Sequence, residues 1–225
     1  MNKQWKKFDR LTEICYSDMA RGITDINNWN ECYNLLKEII SDGRAENPDF
    51  AKELYQLDDE TDYQHDVQGW IEDYLDELGM HEMYAELEAV CRKLLELFDW
   101  KEEYPSYFRF QLASALGNQG RLEEAVKYCE EWEADEEGNP LAAASLIYSK
   151  IKVKDLEGAE AVVRRYISDD TVCSEDNDIL FTAAFRLYKE NGNREMEKKM
   201  NDALNMYDKE LEEYFLGLED EELPF

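Results

Sequence analysis

Gln111-Leu112-Ala113-Ser114-Ala115-Leu116-Gly117-Asn118-Gln119-Gly120-Arg121-Leu122-Glu123-Glu124-Ala125 is the stretch that decides the fold. An apolar stripe at helical spacing runs through Phe108, Leu112, Ala115 and Leu116, breaks at Gly117-Asn118-Gln119-Gly120, and restarts with Leu122, Ala125, Val126 and Cys129. Two amphipathic helices joined by a tight, glycine-containing turn form an αα-hairpin. The pattern then returns. An interval of 34 residues relates Leu112 to Leu146, Leu122 to Leu156, Ala125 to Ala159, Cys129 to Val163 and Trp132 to Tyr166. The two alanines allow the second helix of each pair to approach the first closely, and the two leucines fill the space between them.

Outward from this unit the periodicity stays helical. Trp5, Phe8, Leu11, Cys15 and Met19 make one stripe, and Trp29, Cys32, Leu36, Ile39 and Ile40 another. A shorter helix is expected to start at Pro48 and to carry Phe50, Leu54 and Leu57, since proline suits a first helical turn. Asp58-Asp59-Glu60-Thr61-Asp62 reads as an exposed acidic loop. From about His65 the pairs become regular: Trp70, Ile71, Tyr74, Leu75 and Leu78 stop at Gly79, and Met83, Tyr84, Leu87, Val90, Cys91, Leu94, Leu95 and Phe98 follow. With few β-branched residues and no alternation, nothing reads as a strand. The organisation expected is an N-terminal helical segment over 1–64, helical repeats over 65–216 packed continuously with it, and a short acidic tail over 217–225, frayed or with Phe225 docked.

A 34-residue helix–turn–helix period is the signature of tetratricopeptide (TPR) arrays, and residues 111–125 resemble the central part of such a repeat. The resemblance is good over about 105–170, weaker over 65–104 and 171–210, and absent before that. Ala113 stands where the family has Gly, Leu116 where it has Tyr, Pro140 comes a few residues late, and Lys154 occupies the place of the turn glycine. A third, stretched unit uses Phe181, Ala184, Tyr188, Asn191-Gly192-Asn193 and Met196. The resemblance implies an all-α fold, a right-handed superhelical stack of antiparallel helix pairs, whose first helices line a concave groove.

The composition bounds the partners. Lys and Arg number 25 against 54 Asp and Glu, a formal charge of −29. That field repels a nucleic-acid backbone and an anionic membrane surface, and attracts basic proteins, basic peptides and cations; solubility alone is the competing reading. Five cysteines, 15, 32, 91, 129 and 173, lie on apolar stripes with no C-x-x-C pair, as buried thiols do. No apolar run suits a signal peptide or a membrane span, so a cytoplasmic protein is expected.

Chemistry-bearing motifs are missing. His81-Glu82-Met83-Tyr84-Ala85 fails as a zinc-protease helix because Ala85 stands where the second histidine belongs. The loops from Asp58 and from Asp169 lack the glycine that an EF-hand turn requires. Neither phosphate-cradling glycine motif nor a G-x-S-x-G elbow occurs. The expectation is a non-catalytic scaffold that needs no cofactor or metal and binds a protein or peptide. An acidic decoy that occupies a basic, nucleic-acid-binding protein is the alternative.

Carried over position by position, the TPR resemblance puts Phe110, Ser114 and Asn118 on the groove, then Ala144, Tyr148 and Lys152, then Thr182, Arg186 and Lys189, with Asp73, Asp76 and Glu77 facing inward upstream. An aromatic, an amide and basic groups on one surface can grip an extended peptide and complement an acidic or C-terminal group on it. Packing of Phe110 and Tyr148 between helices is the competing reading. These Lys, Asn and Arg residues do not reproduce in order the set with which the chaperone-tail class of TPR holds a peptide carboxylate.

Overall fold

The structure, a computed structural model, describes residues 2–59 and 61–220. Among the described residues it is all-helical, with eleven helices and no strand. These are α1 (Asn2–Ala20), α2 (Asn27–Glu46), α3 (Gln56–Asp59), α4 (Val67–Met80), α5 (Tyr84–Leu97), α6 (Ser106–Asn118), α7 (Leu122–Asp135), α8 (Pro140–Lys152), α9 (Leu156–Tyr166), α10 (Asp178–Asn191) and α11 (Arg194–Asp220). The chain packs as two compact units, Met1–Ala115 and Leu116–Phe225, with the division falling inside α6. The boundary at 64/65 drawn from sequence follows a different criterion, the start of regular pairs.

One turn recurs through both units. After α1, α4, α6, α8 and α10 the chain enters the left-handed region at Gly22 (φ 67°), Glu82 (57°), Gly120 (77°), Lys154 (64°) and Gly192 (75°). The next amide then reaches back five residues to a helix carbonyl: Ile23 to Asp18, Met83 to Leu78, Arg121 to Leu116, Asp155 to Lys150 and Asn193 to Tyr188, at 2.9–3.1 Å. This is a Schellman-type closure, which satisfies carbonyls that a helix end leaves open and redirects the chain. At α6 and α8 the two closures lie 34 residues apart, so the sequence period is also a period of backbone hydrogen bonds. The pair α1–α2, which shows no consensus, carries the same turn at Gly22.

In the first unit α1 packs on α2 and α4 on α5. The core is aromatic: the Trp29 and Trp70 rings stack at 5.7 Å, Tyr74 lies parallel to both, and Phe8 meets Trp70 edge-on. Cys15, Cys32 and Cys91 are buried there as small apolar groups. In the second unit α8 packs against α7, α9 and α10. Its neighbours on several sides explain why Ala142, Ala143 and Ala144 are all fully buried. Ala125 on α7 and Ala159 on α9 are likewise buried. Asn139 caps α8 by accepting from the Leu141 and Ala142 amides, and Asp155 caps α9 by accepting from Gly158 N–H. A Cβ on Gly158 would strike that Asp155 carboxylate.

Three sequence expectations are corrected. The segment from Pro48 is a series of turns, with only the four residues of α3 helical. Ala51 adopts φ 45°, and the Arg44 guanidinium takes the carbonyls of Phe50 (3.2 Å) and Ala51 (2.5 Å) that a helix would have used. The acidic run after it is not wholly an exposed loop. Asp58 is buried and accepts the amides of Val67 (2.6 Å) and Gln68 (3.2 Å), capping α4 from a distance. Finally, α11 continues through Asp220, past Gly217 where a tail was expected; residues 221–225, Phe225 among them, lie outside the described residues.

No described helix is long and apolar enough to cross a membrane.

Candidate functional site

The C-terminal turn of α6, the second half of α8 and the middle of α10 bring Asn118, Lys152, Tyr148 and Arg186 together in the second unit. Asn118, Lys152 and Arg186 are successive 34-residue equivalents in sequence, but α10 closes four residues late, at Gly192, so Asn118 and Lys152 end their helices while Arg186 lies about one turn inside α10. Lys152 Nζ donates to Asn118 Oδ1 at 2.8 Å. Gly117 leaves room for this: a Cβ there would stand 3.0 Å from Nζ and 3.3 Å from Lys152 Cδ. The absence of that one carbon lets the lysine lie across the end of α6.

The electrostatics of the cluster are unusual for so acidic a chain. The Lys152 ammonium is held below its ordinary pKa, first by burial and then by the like charge of Arg186. Tyr148, half-buried, has its phenol pushed up by burial, with Arg186 acting the other way and Asp178 adding to the rise. Neither Lys152 nor Arg186 makes an ion pair with a carboxylate among the described residues. Lysines elsewhere do so readily: Lys150 reaches Glu130 (2.9 Å) and Asp155 (3.2 Å), and Lys154 reaches Glu190 (3.3 Å). Lys152 thus lies on the Asn118 amide and, like the Tyr148 phenol, within electrostatic reach of Arg186. Chemically such a group accepts an anion or a carboxylate. No group of three or more His, Cys, Asp or Glu among the described residues could hold a metal ion.

The other residues projected onto the groove are placed as follows. Phe110 and Ser114 are half-buried on the part of α6 that belongs to the first unit. Lys189 lies with its ammonium 5.8 Å from the centre of the Phe185 ring. Thr182 turns its hydroxyl onto the Asp178 carbonyl at 3.0 Å. Ala144 is fully buried and presents nothing, because α8 is covered on that side. The upstream acids are tied into the first unit: Asp73 accepts from Tyr16 (2.9 Å), and Asp76 from Tyr107 (2.9 Å) and Gln111 (3.0 Å). Glu77 is buried beside His81, at 3.3 Å.

His65, where the regular pairs begin, makes a contact of its own. It is stacked flat on Trp5 (4.6 Å between rings) and bonded to Asp9, a link between α1 and the segment before α4 that no local pattern announces.

Comparison with protein-family models, with curated protein sequences and with solved structures returned no match.

Proposed function

We propose that the chain is a non-catalytic scaffold of the TPR-like kind, its helix pairs arranged as a right-handed superhelical stack, and that it binds a protein or peptide through the face formed by successive first helices. Support for the stack comes from the five hairpins closed by one turn, and from α8 packing on both its own partner α9 and the next first helix, α10. The observation that carries the binding reading is the Lys152–Arg186 pair. In a chain of charge −29, two neighbouring cations without a carboxylate partner repel one another, and an acidic or C-terminal group on a ligand relieves that repulsion. Asn118 supplies an amide and Tyr148 an aromatic edge for the chain that bears the group.

The test is capture of partners from the source cell by the full chain and by Lys152→Glu and Arg186→Glu, repeated across salt concentrations. Each substitution lies at the surface and leaves the melting temperature in place; each reduces capture about tenfold or more, as loss of a charge-assisted contact does. Unchanged capture by both variants overturns the reading. The net charge favours a second reading, an acidic decoy for a basic protein. Capture that vanishes at modest salt and ignores both substitutions would support that one.

A further inference from the structure

The last helix is longer than the element it packs on. α11 has 27 residues against the 14 of α10, roughly 40 Å against 21 Å. The two form a hairpin closed at Gly192 and pack along one another. An antiparallel partner of 14 residues reaches to about Tyr207 of α11, where Tyr207 feels the Glu175 and Asp178 carboxylates near the start of α10. From Asp208 to Leu216 every residue of α11 is exposed except Leu211, which is half-buried.

The apolar stripe does not stop where the cover stops. Met200, Leu204, Tyr207, Leu211 and Tyr214 follow at intervals of four and three, the spacing of a helix-pairing seam. Met200 is buried, and Leu204, Tyr207 and Leu211 are half-buried. Tyr214, Phe215 and Leu216 are then 64%, 60% and 63% exposed, with the first two rings in edge contact at 5.7 Å. Tyr214 continues the seam and Phe215 borders it, so two large rings left in water there mark an interaction surface; Leu216 points to another side of the helix. The rim is acidic. Asp208, Glu210, Glu212 and Glu213 flank the seam against Lys209, which is 3.4 Å from Glu213. Asp208, Glu210 and Glu212 have no cationic partner among the described residues. A second copy of this chain would set those carboxylates against their own like, within molecules of charge −29 each. A basic helix meets the same rim with opposite sign.

We infer that the projecting end of α11, with Leu211, Tyr214 and Phe215 as its seam and Asp208, Glu210 and Glu212 as its rim, is a docking surface for an amphipathic helix whose apolar stripe is flanked by lysine or arginine. The apolar seam supplies the affinity and the rim selects basic partners and orients them, as charged flanks do in paired helices. This surface is separate from the Lys152–Arg186 face, and the two are tested by different substitutions.

The experiment uses the full chain and a fluorescent synthetic peptide with leucines at heptad spacing and lysines elsewhere. A scrambled peptide of the same composition and a version with glutamate for lysine serve as comparators. At about 0.15 M salt, where exposed charges more than about 8 Å apart are largely screened, the patterned basic peptide binds and the scrambled one binds at least tenfold more weakly. The glutamate version does not bind. The variant Tyr214→Ser/Phe215→Ser loses the patterned peptide at least tenfold while keeping its melting temperature, and Lys152→Glu leaves that binding unchanged. Equal binding of patterned and scrambled peptides overturns the proposal by reducing it to nonspecific attraction. Unchanged binding by the double variant overturns it also. So does sedimentation of the native chain as a dimer that the double variant disperses, since the occupant is then a second copy.

Discussion

Lys154 occupies a backbone position that its side chain disfavours, and replacing it with glycine should stabilise the protein. At φ 64° its Cβ crowds the following carbonyl, a cost of about 1–2 kcal/mol for an L-residue. Glycine removes that cost and returns about 0.5–1 kcal/mol through the greater freedom of the unfolded chain. The substitution also deletes the ion pair with Glu190, 3.3 Å long and with the Lys154 side chain 73% exposed, which at the surface contributes at the low end of about 0–1 kcal/mol. Lys154→Ala loses the ion pair and keeps the strained backbone, so the comparison of Lys154→Gly with Lys154→Ala isolates the turn. The glycine variant should be the more stable of the two by about 0.5–1 kcal/mol, or about 2–4 °C in melting temperature for each kcal/mol. The equivalent position 34 residues earlier gives the opposite sign. A Cβ on Gly120 meets nothing within 4 Å, yet Gly120→Ala should cost about 1 kcal/mol because φ is +77°. Thermal and urea unfolding measure both. An alanine variant at 154 as stable as the glycine variant, or a neutral Gly120→Ala, would refute the shared left-handed turn and with it the structural repeat.

Ala125→Asp and Ala159→Asp should each destabilise by several kcal/mol, because both methyls are buried in the second unit and an unpaired carboxylate would be forced between packed helices; unchanged melting temperatures would show the 34-residue alignment to be wrong. Lys152, followed by NMR of its side chain, should titrate below its ordinary 10.5, and Arg186→Gln should raise the value only partway, since burial is the larger cause. The sign for stability follows. Below the folded pKa both states carry the proton and the native state bears the whole penalty; between the folded pKa and 10.5 only the unfolded state is protonated, so the penalty shrinks as pH rises through that window. A Lys152 titrating at or above 10.5 would mean that a carboxylate neutralises it, and would remove the basis of the anion site.

The local character of the chain was legible without coordinates because it depends on near neighbours. Apolar residues at intervals of three and four dictate helices, and Gly22, Gly79, Gly120 and Gly192 stand at or near the ends of four of them. The 34-residue interval carried further than the secondary structure. It identified Ala125 and Ala159, which are buried, and it matched the ends of α6 and α8, where Lys152 meets Asn118; the longer interval to Gly192 carries Arg186 out of that alignment. The same register also projected Ala144 onto the groove, where it is buried, because register does not say how many neighbours a helix has.

What tertiary structure decided was each outcome set by a group distant in sequence. The segment from Pro48 had a helical pattern, but Arg44 claims its carbonyls, and Asp58 is drawn out of an apparent acidic loop to cap α4. Lys154 takes a left-handed conformation that its type disfavours, since the hairpin around it gains more from closing than one residue loses in strain. The charge of each residue was plain from the start, yet not which cations would lack a carboxylate. That depends on distances of a few ångströms between helices, and the packing of α8 against α10 leaves Lys152 within electrostatic reach of Arg186, neither with a carboxylate partner among the described residues. Helical periodicity is a property of neighbours along the chain and can be read from it; pairing of charges and capture of backbone groups are properties of neighbours in space, and these the fold alone supplies.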